Sequence, residues 1–348
     1  MKIALDATCS LGENLSGVGV YSREILAGLA SAHPEAELLL CYRLHRFLRS
    51  LNERLPRNCR RRLLQEPWAP RSADLFHGLN QRLPKVRFRK AVSTFHDLFV
   101  LTGDYSTPEF RRRFQHQARE AAASSDLIVT VSEFTARQVE QLLGVERARL
   151  RVIPHGVRFP ACQPAEERRE NLILYVGAIQ RRKNVARLIQ AFRALGPDWR
   201  LALAGSFGFG AAEILREIQI SPRRQSIQVL GYVSNQALAA LYGRARIFAF
   251  PSLDEGFGIP VLDAMAWGVP VLTSNRSALP EVAADAALLV DATDVEAIRA
   301  GLCELAGNEA LRHELARKGK MRAAAFTWEA AVSRTWSVYQ ELTDRGTQ

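Results

Sequence analysis

No apolar run in this sequence approaches the ~18 residues that a membrane-crossing helix needs. The beginning, Met1-Lys2-Ile3-Ala4-Leu5-Asp6, carries one basic residue and no long apolar stretch behind it, which argues against a secretory signal. These absences predict a chain that stays in the cytoplasm. Cysteine is scarce and unpaired in pattern: Cys9, Cys41, Cys59, Cys162 and Cys303 are odd in number, widely scattered and form no Cys-x-x-Cys. Reduced thiols are therefore expected, rather than a disulfide framework or a structural zinc site. Around Cys59, the run Asn58-Cys59-Arg60-Arg61-Arg62 supplies positive charge that can lower a thiol pKa. His, Cys, Asp and Glu do not cluster at metal-ligand spacing either, so no metal and no cofactor is expected.

What is present is a long alternation of short apolar runs and amphipathic stretches. With 348 residues, 47% of them hydrophobic and 24% charged, the chain suits two globular domains. Ile3 to Asp6, Leu38 to Tyr42, Leu75 to Leu79, Ala91 to Phe95, Leu127 to Val131 and Arg151 to Pro154 read as strands. They are continuously apolar, as expected of parallel strands buried on both faces. Helices fall between them, among them Val20 to Ala30 and Ser132 to Leu143. Residues 158–169 hold two prolines and a charge run without periodicity, which reads as a linker. The alternation then resumes with Leu172 to Val176, Leu201 to Ala204, Ile227 to Leu230, Ile247 to Phe250, Val269 to Thr273 and Leu288 to Val290. The expected organisation is α/β: two Rossmann-like, doubly wound domains over 1–158 and 170–326. A terminal helix over 327–348, opened by Thr327-Trp328-Glu329, is expected to pack back toward the first domain.

In such folds ligands sit beyond the carboxyl ends of the strands. The richest segment there is Ser252-Leu253-Asp254-Glu255-Gly256-Phe257-Gly258-Ile259-Pro260-Val261-Leu262-Asp263, directly after the strand Ile247 to Phe250. Gly256 and Gly258 permit close backbone approach to a ligand, and a helix starting there offers its positive end. Glu255 lies before that helix and Asp263 one to two turns into it, so the two acids can serve different parts of one extended ligand. A structural turn would account for Gly-x-Gly alone, but not for the whole string. Gly17-Val18-Gly19 similarly follows the first strand and opens a helix. His96-Asp97 closes the strand Ala91 to Phe95, and His77 either lines a cleft or merely finishes its strand.

The segment from Glu255 to Asp263 resembles the E-x7-E motif of the retaining glycosyltransferases of family 4, which have the GT-B fold. Ile153-Pro154-His155-Gly156-Val157, Tyr175-Val176-Gly177 with Arg182-Lys183-Asn184, Ala204-Gly205-Ser206, Gly231-Tyr232-Val233 and Leu279-Pro280-Glu281-Val282 resemble other family segments, in family order. Two positions depart: the second acid is Asp263, one methylene shorter than Glu, and His155 stands where the family has Asn. The resemblance implies two facing domains with a catalytic cleft between them and hexosyl transfer from a nucleotide-sugar with retention. It further implies that Glu255 holds sugar hydroxyls, Asp263 the ribose, His96 with Asp97 the transferred sugar, and Gly17, Val18, Gly19, Ser206, Tyr232, Val233, Gly256, Phe257, Gly258 and Ile259 the rest of the donor. Arg182 and Lys183 have a physical case of their own, because fixed cations stabilise the charge of a departing diphosphate. With no Asp-x-Asp to hold a hard cation, the basic pair is expected to replace the metal. The string looks most like bacterial polysaccharide mannosyltransferases, which points to GDP-mannose, with UDP- and dTDP-sugars as alternatives.

Charge is uneven. Residues 1–159 hold 25 Lys and Arg against 16 Asp and Glu, while the remainder holds 22 against 20. The basic half suits anionic lipid or a phosphorylated substrate, or is simply a solvated surface. Between Tyr42 and Leu55, apolar residues at 44, 47, 48, 51 and 55 form a helical stripe flanked by Arg43, Arg46, Arg49 and Arg54. That stripe either packs on the sheet or lies in a membrane interface. The second alternative implies peripheral attachment to the cytoplasmic leaflet and a glycan or lipid-linked acceptor for cell-surface polysaccharide. Another GT-B activity, a nucleotide-sugar epimerase or a phosphorylase, is the rival enzyme reading. Nucleic-acid binding is disfavoured, since the basic clusters lack interleaved aromatics and no helix-turn-helix or zinc-finger spacing occurs.

Overall fold

The computed structural model describes residues 1–12, 14–65, 68–160 and 169–344. They form two compact units, one of Met1–Thr102, Thr107–Gly156 and the chain from Thr327 onward, the other of Gly103–Ser106 and Val157–Phe326.

The first unit is built on seven parallel strands: β1 (Lys2–Asp6), β2 (Glu37–Tyr42), β3 (Cys59–Leu63), β4 (Leu75–Gly78), β5 (Ala91–Phe95), β6 (Leu127–Thr130) and β7 (Leu150–Val152). Their order is β3-β2-β1-β4-β5-β6-β7, so the winding reverses between β1 and β4. Ile3 pairs with Leu38 on one side and Leu75 on the other. Its neighbours alternate between two cores, which is why the strand reads as a continuous apolar run. Ile3 and Leu5 lie with Tyr21, Ile25 and Leu29 of the helix Gly17–Ala32, whereas Ala4 packs with Leu39, Cys41 and Phe76. The helix Trp328–Asp344 adds Trp328, Ala331, Val332, Val338 and Tyr339 to the first of these cores. Thr327 caps its start, the Thr327 hydroxyl accepting from the Ala330 N–H at 3.1 Å.

Six of the seven strands coincide with apolar runs; β3 does not. It is an edge strand in which buried Cys59 begins an alternation of exposed and partly buried residues through three arginines. Charge on an edge strand discourages pairing with a foreign strand, and the same charge hides the strand from a hydrophobicity reading. The arginines also fail to activate Cys59. Burial pushes its thiol up to about 11, so the expectation of a lowered pKa is corrected. Cys9, Cys41, Cys59 and Cys303 are free thiols, and Cys162 lies outside the described residues.

The second unit carries six parallel strands: β8 (Glu170–Val176), β9 (Arg200–Ala204), β10 (Ile227–Gly231), β11 (Ala245–Phe250), β12 (Val271–Ser274) and β13 (Leu288–Val290). Their order, β10-β9-β8-β11-β12-β13, places the reversal between β8 and β11. Every strand expected in this half is present. Of the expected linker, 161–168 lie outside the described residues, but Arg169 at its end is an anchor. Its buried guanidinium donates to the carbonyls of Tyr242, Ala245, Trp267 and Gly268, closing chain ends that would otherwise leave acceptors unpaired.

The stripe of residues 44–55 divides. The helix Leu44–Ser50 turns Phe47 toward the core, with Leu55 beyond it, and leaves Leu44, Leu48 and Leu51 at 62%, 75% and 55% exposure. Packing on the sheet therefore accounts for only part of it. No described helix is long and apolar enough to cross a membrane.

Candidate active site

In the second unit, the chain leaving β8 and the chain leaving β11 emerge side by side, because those strands pair where the winding reverses. After β8 the chain forms a short 3-10 turn, Arg181–Lys183, ended by Asn184 in the left-handed region at φ 61°. Asparagine tolerates that conformation better than most residues. Its buried amide donates to the carbonyls of Pro251, at 2.9 Å, and Ala292, at 2.7 Å. The bend is thereby tied to the chain beyond β11.

The result is a compact charged cluster. Arg182 Nη1 lies 3.1 Å from Glu255 Oε2, with both side chains less than a tenth exposed, and Lys183 Nζ donates to Glu255 Oε1. The Ser252 hydroxyl donates to the same Oε1 at 2.6 Å, and the Glu255 N–H donates to the Ser277 hydroxyl at 3.0 Å. Arg182 also donates to the carbonyl of Asp254. Burial pushes the Glu255 carboxyl upward, but Lys183 and then Arg182 outweigh it and hold the group below its ordinary value. Glu255 is therefore an ionised acceptor between two cations. Lys183 Nζ lies 5.0 Å from the centre of the Phe250 ring, an apolar wall that strengthens the electrostatics of the cluster.

Gly258 caps the helix Ile259–Ala266 at φ 112°, a conformation that a side chain would strain. The helix presents its amino end beside Glu255 in sequence, where an anion is favoured. Gly256 is buried, and Phe257 turns its ring into the core against Phe326, so its side chain does not face a ligand. Ile259 is half-buried. Asp263 stands apart. Among the described residues its side chain makes no hydrogen bond or ion pair, and burial pushes its carboxyl up to about 7.

At the ends of β9 and β10 come Gly205, Ser206, Tyr232 and Val233. A β-carbon on Gly205 would stand 1.9 Å from the Gly177 carbonyl oxygen, so only glycine permits these two strand ends to approach. Ser206 and Tyr232 are exposed and Val233 is half-buried.

The remaining candidates belong to the first unit. Gly17 and Val18 open the helix Gly17–Ala32 ahead of its first backbone bond, from Val20 to Ser16, whereas the Gly19 amide already donates to the Ser16 hydroxyl at 3.3 Å. His96 is buried and its Nε2 lies 3.0 Å from the Leu79 carbonyl oxygen. Burial pulls its pKa down to about 4, so it is a neutral imidazole. It stacks on His155 with ring centres 5.5 Å apart, which gives His155 a packing role. Asp97 follows His96, half-buried. His77 is fully buried, with Nδ1 2.6 Å from the Tyr339 hydroxyl and Nε2 2.8 Å from Thr94 Oγ1, which decides for a structural part.

Sequence reasoning missed Ser252, Ser277 and the positioning part of Asn184. Only proximity to Glu255 signalled Ser252, and nothing in the local sequence marked Ser277. Among the described residues, no group of three or more His, Cys, Asp or Glu is placed to hold a metal ion.

Comparison with known proteins identifies the family and the fold. The family described as Glycosyltransferase Family 4 matches residues 15–159, and that described as Glycosyl transferases group 1 matches 162–322. O-antigen chain mannosyltransferase B of Escherichia coli is 32% identical over 98% of this chain and all of its own length. Serotype-specific mannosyltransferase WbdA of Escherichia coli is 28% identical over 69% of this chain, which matches 32% of that longer protein. Sucrose-phosphate synthase from Thermosynechococcus elongatus superposes with a TM-score of 0.82 at 21% identity, over 99% of each chain. That similarity carries the fold, which is GT-B.

Proposed function

We propose a specific reaction for a chain that belongs to the group 1 glycosyltransferases of family 4: transfer of mannose from GDP-mannose, with retention, to a growing cell-surface glycan. The observation that carries the chemistry is the Arg182–Glu255–Lys183 cluster at the carboxyl ends of β8 and β11. In this reading Arg182 and Lys183 face the diphosphate, and their charge matters most when the sugar–phosphate bond breaks and the leaving group gains charge. Glu255, ionised between them, keeps both cations in place and accepts from the sugar hydroxyls. Asp263 binds the ribose, and neutral His96 with Asp97 contacts the transferred sugar. The amides of Gly17, Val18, Gly256, Gly258 and Ile259 approach the phosphates and the sugar. Ser206, Tyr232 and Val233 lie toward the nucleoside. The departing phosphate oxygen takes the acceptor proton.

The mannosyl preference rests on the relatives, O-antigen chain mannosyltransferase B above all. A thermal-shift panel of GDP, UDP, dTDP and ADP tests it. A specific nucleotide at a hundred times its Kd adds about 2.7 kcal/mol to stability. GDP is expected to stabilise; stabilisation by UDP and not GDP overturns the preference.

For the acceptor we infer a lipid-linked sugar, met at the cytoplasmic leaflet. The exposed Leu44, Leu48 and Leu51, flanked by Arg46, Arg49 and Arg54, have the composition of an interfacial helix, and anionic lipid attracts each nearby arginine by about 1 kcal/mol.

A further inference from the structure

Away from the charged cluster, a second group of charges occupies the first unit where its winding reverses. Asp6 ends β1, Arg43 follows β2, and Asn80 and Arg82 follow β4, so all four lie at the same carboxyl edge of the sheet. Asp6 is buried. One oxygen accepts from the Thr8 N–H at 3.0 Å, and the other lies 3.6 Å from Arg43 Nη2, too far for a hydrogen bond. Both that oxygen and Arg43 Nη2 are buried without a hydrogen-bond partner, as is Asn80 Oδ1.

Arg82 is the least compensated member. It is half-buried, and among the described residues its side chain makes no hydrogen bond and no ion pair. Burial, then the charge of Arg43, and further down that of Arg113, pull its pKa below the ordinary guanidinium value. A guanidinium has five N–H donors and loses its proton to nothing in the protein. Arg43 and Arg113 both repel Arg82, which is partly desolvated and, among the described residues, unpaired; Cys9 and the buried Asp6 offset only part of this, since the net shift stays downward. An anion with several acceptor oxygens would reverse that.

We propose that Arg82, with Arg43 and Arg113, forms an acceptor subsite for a phosphoryl or pyrophosphoryl group attached to the acceptor sugar. The inference deepens the proposed function and rests on its lipid-linked acceptor. Arg43 immediately precedes Leu44, the first residue of the helix with exposed leucines. A phosphate held there lies beside the surface assigned to the lipid interface. A switch point is also where doubly wound sheets bind ligands.

The test compares two acceptors of the same sugar, one on a short-chain lipid pyrophosphate and one on an uncharged alkyl glycoside, with wild type and Arg82→Gln. Loss of a charge-assisted contact is expected to raise KM for the pyrophosphate acceptor by about ten- to a hundredfold. The kcat and the KM for the alkyl glycoside should hardly change. Because the Arg82 side chain makes no bond among the described residues, the melting temperature of ligand-free Arg82→Gln should equal or exceed that of wild type. An equal rise in KM for both acceptors, no rise for the pyrophosphate acceptor, or a lowered melting temperature overturns the subsite. Inorganic pyrophosphate, titrated with the nucleotide site saturated by nucleoside diphosphate, separates this from failure of the acceptor reading. Binding that weakens at least about tenfold in Arg82→Gln supports the subsite even if wild type uses neither acceptor. No binding to wild type overturns it.

Discussion

The imidazole of His77 and the hydroxyl of Tyr339 meet at 2.6 Å although 262 positions separate them. On the other side of the ring Thr94 lies 2.8 Å away, and its hydroxyl reaches Tyr21 at 3.1 Å. One buried network thus joins β4, β5 and the helix Gly17–Ala32 to the terminal helix. Burial pulls the His77 pKa down to about 3, so the ring is neutral and needs a partner at each nitrogen.

Tyr339→Phe is expected to leave His77 Nδ1 buried without its partner, at a cost of about 1–3 kcal/mol. Urea unfolding measures it. Turnover per folded molecule should be unchanged, since Tyr339 bonds His77 and the network reaches the proposed ligand group His96 only through the edge of the Tyr21 ring, 4.8 Å away between centres; a large fall in kcat at full folding would contradict the structural assignment.

Lys183→Ala should cut turnover by about a hundred- to a thousandfold, the usual loss when one fixed charge-stabilising group is removed. Glu255 keeps Arg182 at 3.1 Å and the Ser252 hydroxyl at 2.6 Å, so circular dichroism should show an intact fold. Turnover close to wild type would end the case for Lys183 at the diphosphate.

Asp263 predicts a pH dependence. Its carboxyl is raised from 3.8 to about 7 by burial, so the folded state holds a proton that the unfolded state releases. Its contribution to stability is present below about 4 and lost as pH rises through about 7. Asp263→Asn should therefore be more stable than wild type at pH 8, by something on the order of 1–3 kcal/mol, and similar at pH 4. If the carboxylate accepts from a ribose, donor affinity in wild type should rise through pH 7, and this rise should vanish in the variant. Isothermal titration at several pH values with the intact nucleotide-sugar reads this directly.

Leu48, the most exposed of the three leucines at 75%, can be changed without touching a core. Leu48→Glu is expected to leave the unfolding free energy within about 0.5 kcal/mol of wild type and to abolish co-sedimentation with anionic vesicles. Wild type that fails to bind such vesicles even at low salt would remove the interfacial role of this helix.

Much of the fold was legible because a parallel strand buried on both faces can be written only as a continuous apolar run; twelve of the thirteen strands coincide with runs read from the sequence, including the exposed edge strand β10. β3 escaped because an edge strand needs one buried face only, and three arginines occupy its positions. Likewise, the string from Ser252 to Asp263 announced a ligand loop by itself, since glycine, acid and helix start are local features.

What the sequence could not determine is which segments meet. Arg182 and Glu255 are neighbours solely because β8 pairs with β11 across the reversal of winding, bringing together residues whose numbers differ by more than seventy. The Ser252 hydroxyl that helps to hold Glu255 ionised and the Asn184 bend that ties the two chain segments together are defined by that meeting. So are the half-buried Arg82 and the neutral His96, whose burial comes from distant elements. Local pattern encodes what each segment must bury, and a charge acquires its pKa and its partner only from the groups that folding sets beside it.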